Sequence, residues 1–129
     1  MTKTIFMDKY PVYSLELNKT EVEQTNAKEI IEYFKTKIEA HPIAKFISTF
    51  DHYSHTKDID GDINPDILDA QNIVFCFGKA IPNTKILAAR PRSIGVAELA
   101  DKFVIEFIEA PNEQLHTVME DWSKALKVK

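Results

Sequence analysis

The sequence predicts an α+β domain, a two-layer sandwich in which two long helices cover one face of an antiparallel sheet. Two segments, one in the first third and one at the end, repeat apolar residues at helical spacing. Several other stretches alternate apolar with polar residues, and the links between successive ones are too short for the crossovers that parallel strands require. The resulting order is β-α-β-β-β-β-α, with residues 1–129 forming one domain.

In the first strand, Tyr13, Leu15 and Leu17 alternate with Ser14 and Glu16, giving one apolar and one polar side. The first helix runs from about Glu23 to Ala40, where Ala27, Ile30, Ile31, Phe34 and Ile38 share one stripe. Thr20 or Thr25 is suited to cap its start, and His41-Pro42 ends it because proline removes a donor and disfavours helix in the residue before it. The stretch Ile43 to Tyr53 reads as a second strand, with Phe46, Ser48 and Phe50 on one side. A short helical turn is expected after Asn64-Pro65. Ile73-Val74-Phe75-Cys76-Phe77 is apolar on both sides and stops at Gly78, as a central strand would. Ile86 to Ala89 is read as a short partner strand, and Phe103, Ile105 and Phe107 mark the last strand. The second long helix follows Pro111-Asn112 and reaches about Lys127, with Leu115, Val118, Met119, Trp122 and Leu126 on one face. Glu113 near its start and Lys124 and Lys127 near its end suit the helix dipole.

A chain of 129 residues that is 44% hydrophobic can build one core without disulfides or metals. The start Met1-Thr2-Lys3-Thr4-Ile5-Phe6-Met7-Asp8 shows no secretory signal, and no apolar run is long enough for a bilayer. With Cys76 as the lone cysteine, a cytoplasmic setting is expected. A net charge of −4 argues against nucleic acid as a partner, since phosphate neutralisation needs clustered cations. The charge is unevenly spread: Asp51, Asp58, Asp60, Asp62, Asp66 and Asp69 face only Lys57, whereas Lys79, Lys85, Arg90 and Arg92 follow with no acid among them. The bland account of such runs is a solvated acidic loop and a solvated basic one.

Several local signals resemble the bacterial domain-of-unknown-function 302 family. They are a helix followed by an aromatic-rich strand ending in Asp51-His52, an acidic loop, an apolar strand ending in Phe77-Gly78, a Thr84-x-x-Leu87 segment, and a final strand from Phe103 to Glu106. The resemblance implies a TATA-binding-protein-like fold and no particular reaction. Lys79-Ala80 stands where that family usually has Asn-Pro, and Ala100-Asp101-Lys102 replaces its Leu-Pro. Both a distant member and a separate family with the same fold fit these departures.

Four groups of residues invite a chemical reading. The run Asp58 to Asp66 has carboxylates at alternating positions, as a calcium loop does, but one EF-hand register puts Ile63 where glycine is needed, and the other loses the first ligand. An acidic surface loop is therefore the expectation. Asp51, His52 and His55 form a second group near a strand end, with Cys76 on a neighbouring strand. His52 and His55 can share a metal only if the chain turns between them. Otherwise His52 faces the sheet with Asp51 as hydrogen-bond partner. Cys76 alone reads as a small core hydrophobe, because a reactive thiolate needs a cationic, partly open neighbourhood. Arg90-Pro91-Arg92-Ser93, with Lys79 and Lys85 nearby, offers two guanidinium groups for a carboxylate or phosphate, or for the acidic loop of a second copy across a two-fold axis. Finally, Phe46, Phe50, Phe75, Phe77, Phe103, Phe107 and Trp122 line either an internal apolar pocket or simply the core.

No glycine-rich phosphate loop, nucleophile elbow or paired-cysteine motif is present, and no cofactor is expected. The sequence thus reads as a non-catalytic binding or interaction module that forms a homodimer. Its candidate ligand residues are Asp51, His52, Cys76, Lys79, Arg90 and Arg92, for a small apolar or anionic ligand. The rival reading is a metal-binding protein or enzyme centred on Asp51, His52, His55 and Cys76, with His52 and His55 as the metal ligands.

Overall fold

Alternation of side chains is realised in six strands, described here from a computed structural model covering residues 1–129. They are β1 (Thr2–Phe6), β2 (Tyr10–Asn18), β3 (Lys45–Asp51), β4 (Asp69–Cys76), β5 (Arg92–Glu98) and β6 (Lys102–Ile108). Every pairing is antiparallel, in the spatial order β1-β2-β6-β5-β4-β3. The long helices are α1 (Ala27–Ala40) and α4 (Glu113–Lys124); two short ones, α2 (His52–Asp58) and α3 (Ile86–Ala89), lie in the connections on either side of β4.

The helical stripes meet one side of this sheet. Leu17, Ile73, Phe75, Ile94, Val96, Phe103, Ile105 and Phe107 are buried on that side, together with all five stripe residues of α1 and Met119 and Trp122 of α4. The Trp122 ring stacks on Phe77 at 5.2 Å and meets Phe75 edge-on at 6.0 Å. The Tyr33 hydroxyl of α1 donates to the Trp122 carbonyl of α4 at 2.6 Å, tying the two helices over the same sheet face. Burial beside that bond raises the Tyr33 phenol above its ordinary pKa. The aromatic residues therefore fill a core. Phe50 is the exception, since it lies on the opposite side of the sheet against His52 and His55.

Both helix starts are asparagine caps. Asn26 accepts the Glu29 N–H at 2.9 Å, so the cap is neither Thr20 nor Thr25, although the Thr25 N–H and hydroxyl hold the Glu29 carboxylate. Asn112 accepts from Gln114 and Leu115. Glu98, at the end of β5, accepts the Ala27 N–H and pairs with Lys19, anchoring the positive end of α1 to the sheet.

Four local readings are corrected. Residues 2–6 form an edge strand, which the pattern concealed because none of its side chains is buried. The turn after it uses Met7 and Asp8 at φ 55° and 60°, not the Asn-Gly pair that signals such hairpins. Ile86 to Ala89 is helical, started by Asn83 accepting the Ile86 N–H; four apolar residues are too few for periodicity to decide. The strand that pairs with β4 is instead Arg92–Glu98, where Ser93, Gly95 and Ala97 dilute the signal of Ile94 and Val96. After Asn64-Pro65 the chain makes a single turn, closed by the Ile67 N–H on the Asn64 carbonyl, and no helix.

Tyr33→Phe, which removes only the bond between α1 and α4, should cost about 1 kcal/mol. Trp122→Ala should cost about 3–5 kcal/mol, because it leaves Phe75 and Phe77 facing a cavity. Urea unfolding followed by Trp fluorescence for the first variant, and by circular dichroism for both, measures these losses.

Candidate functional site

The Asp51-His52-His55 group does not form an extended strand end. Asp51 closes β3 and its side chain accepts the Ser54 N–H at 3.0 Å, so that α2 begins at His52. This bond, more than the neighbouring Lys28, holds the Asp51 carboxyl below its ordinary pKa. His52 and His55 thus share one side of a helical turn at spacing i, i+3, and both rings flank Phe50, at 5.1 and 5.5 Å. The hydrogen-bond partner of His52 is Asn72 of β4, at 3.1 Å from Nδ1, and not Asp51. Cys76 stands opposite Lys45, four residues farther along β4 than Asn72, or about 13 Å away at strand spacing. His52 and Cys76 therefore do not converge, and no three His, Cys, Asp or Glu side chains gather in metal-binding geometry.

The acidic run is equally dispersed. Gly61 serves the end of α2: its N–H bonds the Thr56 carbonyl at 2.8 Å, and a β-carbon there would lie 2.8 Å from the Thr56 methyl. Asp58, Asp60, Asp62 and Asp66 are exposed.

The basic segment builds a pocket. Arg92 opens β5 opposite Phe75, on the helix-covered side, at the sheet's edge of burial. Its guanidinium donates to the carbonyls of Ile108 and Ala89, while its Nε is buried without a partner. Arg90 lies flat over Gly78 and donates to the Ala80 carbonyl at 2.7 Å. A side chain at position 78 would overlap that guanidinium, which explains the glycine after Phe77. The two arginines share a pocket of about 50 Å³ with Phe77, Ile86, Ala89, Ala110, Pro111 and Leu115. None of the chain's ion pairs involves Lys79, Lys85, Arg90 or Arg92. Arg92 thus carries a half-buried charge with no acid beside it, and this desolvation lowers its pKa while leaving it protonated.

Of the candidate ligand residues, the structure brings together Arg90 and Arg92. It leaves Lys79 exposed near them and sets Asp51, His52 and Cys76 apart. The pocket's far wall, from Ala110 to Leu115, belongs to the β6–α4 connection, which no local motif announces. His116 fixes that connection from beneath: Nδ1 accepts the Ala110 N–H at 3.2 Å and Nε2 meets Glu120 at 2.8 Å.

The sequence profile of a family of unknown function, DUF6858, matches residues 1–128. No curated protein matches the chain. Among solved structures, it is similar to the crystal structure of an uncharacterized conserved protein, DUF302, from Bacillus stearothermophilus. The TM-score is 0.57 at 13% identity, over 89% of this chain and 91% of that one. The likeness shows the shared fold, in keeping with the resemblance carried by Asp51-His52 and Phe77-Gly78. A distinct family profile accords with the departures at Lys79-Ala80 and Ala100-Asp101-Lys102.

Asp51→Ala should lower stability by about 1 kcal/mol and Asp51→Asn by less than half as much, since asparagine keeps the cap. Because the folded-state pKa is depressed, the Asp51 contribution is present above the ordinary carboxylate pKa and is lost as pH falls through the lower folded value. Urea titrations of both variants at neutral and acid pH should show the alanine deficit shrinking in acid.

Proposed function

We propose, for a chain that belongs to the DUF6858 family of unknown function, that it is a non-catalytic binding domain for a small organic anion with an apolar body. The observation that carries this reading is the half-buried Arg92 guanidinium, which has an orphaned Nε and no acid beside it, in a pocket it shares with Arg90. Taking a guanidinium out of water without a counter-charge is unfavourable, and an incoming carboxylate or phosphate supplies that charge with directional hydrogen bonds. The volume of about 50 Å³ accommodates a few non-hydrogen atoms, the size of an anionic head group. Phe77, Ile86, Pro111 and Leu115 offer the apolar wall along which the remainder of such a molecule lies.

The same geometry offers no reaction. The pocket holds two permanent cations and apolar side chains, with no nucleophile and no group able to exchange a proton near neutral pH. Cys76 and the histidines of α2 belong to other parts of the molecule.

Benzoate and phenyl phosphate are suitable probes. Titrated into the ¹⁵N-labelled protein, at least one should shift the backbone amides around Phe77, Ile86–Arg92 and Ala110–Leu115 saturably, at concentrations below about 10 mM. Arg92→Met should weaken that binding about tenfold or more, in line with losing a charge-assisted bond. Gly78→Ala should weaken it through displacement of Arg90 while costing little stability, because a flexible side-chain end can move away. Absence of any saturable shift, or equal binding by Arg92→Met, contradicts the reading.

A further inference from the structure

The two edges of the sheet are not alike. β3 is guarded: it is bulged between Phe46 and Ser48, begins with exposed Lys45, and runs directly into α2. β1 has none of these protections. It is regular over five residues, every one of them exposed, and its single charged residue, Lys3, is drawn to Glu109 at 3.2 Å on the helix-covered side. An unbulged free strand presents a row of unpaired backbone groups, the template on which another strand adds.

Beside that edge lies the largest cluster of exposed apolar side chains in the chain. Ile5 is 54% exposed, Phe6 58%, Met7 69% and Tyr10 47%, with Ile108 next to them at 51%. Met7 and Asp8 also hold the left-handed backbone conformation, which is unfavourable for residues other than glycine. A bulky apolar residue held at such a turn and turned out to water has no compensating contact within its own subunit. Covering five side chains of this kind removes roughly 500 Å² from each copy, so two copies together reach the lower bound for a specific interface.

We infer that β1 pairs with β1 of a second copy across a two-fold axis, making one continuous sheet. Antiparallel pairing centred on Thr4 sets Thr2 opposite Phe6 of the partner subunit and Lys3 opposite the partner's Ile5, with no like charges opposed. Opposed residues share a face, so the Phe6 ring of each subunit arrives beside Thr2 of the other. There, Met1, Thr2, Ser14, Leu15 and Val104 line an open hollow on the uncovered side of the sheet, with Glu16 and Glu106 at its rim. Lys9, which has no ion pair in its own subunit, comes to that acidic rim; Asp8 is the one like charge beside it. The interface is self-complementary and closes at two subunits.

Sedimentation velocity on the full chain at about 50 µM tests this, a range in which interfaces of this size associate. The wild type should be dimeric. Ile5→Lys places a lysine opposite Lys3 of the partner subunit twice per dimer and should weaken association about tenfold or more. Ile5→Glu, equally polar and adding negative charge to an acidic protein, places a carboxylate opposite the same lysine and should keep the dimer. Circular dichroism melts establish that both variants fold, and Phe6→Asp, at an exposed position, should dissociate the dimer by emptying the hollow. A monomeric wild type overturns the inference. So does equal dissociation by Ile5→Lys and Ile5→Glu, or a dimer that survives every β1 variant and falls apart in high salt, which assigns the contact to the acidic and basic loops instead.

Discussion

The contact of Trp122 with Phe75 and Phe77, tied back to α1 through the Tyr33 hydroxyl, is the interaction on which the arrangement of this domain depends. It fixes α4 on the sheet face that α1 already covers, so that both apolar stripes are satisfied by a single layer of strands. Once both helices lie on one side, the other side of the sheet is left to Ser14, Asn72, Ser93, Gly95 and Glu106, with little apolar surface except at its edges. The asymmetry follows from burying the large side chains together, where aromatic packing contributes most.

Charge is arranged along β4 in a way that the fold makes meaningful. The acidic segment precedes this strand and the basic segment follows it, so the two lie at opposite ends and do not neutralise one another within the chain. At the basic end, the burial that stabilises Phe75 and Phe77 also draws Arg92 partly out of water. A charge in that position is tolerated because its guanidinium meets two carbonyl oxygens, although it has no carboxylate. Gly78 and Arg90 close the same corner from the other side.

Similarity to the DUF302 crystal structure at 13% identity establishes the architecture and nothing about chemistry, as one fold can carry many unrelated sites. The histidines illustrate the point. In an isolated strand, His52 and His55 would face opposite ways; the Asp51 cap turns the chain into α2 and puts them on one side, yet no third ligand comes near. His116, unremarkable in the sequence, turns out to be buried as a latch between the end of β6 and α4.

What the residues by themselves determined is the layer arrangement. The stripes Ala27 to Ile38 and Leu115 to Leu126, and the alternation at Tyr13 to Leu17 and Phe103 to Phe107, depend only on local period and hydrophobicity, so α1, α4, β2 and β6 were legible. The pairing of Arg90 with Arg92 over an apolar floor was half legible, since the arginines are neighbours in the chain while their walls are not. Only tertiary structure decided the rest. A short apolar run such as Ile86 to Ala89 takes its conformation from the Asn83 cap and its surroundings. β5 exists because β4 and β6 pair with it, in spite of its small residues. β1 exists because β2 offers it a free edge. Whether a guanidinium becomes solvated or stranded is set by which distant segments, here Ala110 to Leu115, close over it, and that proximity has no signature in local sequence because folding alone brings those segments together.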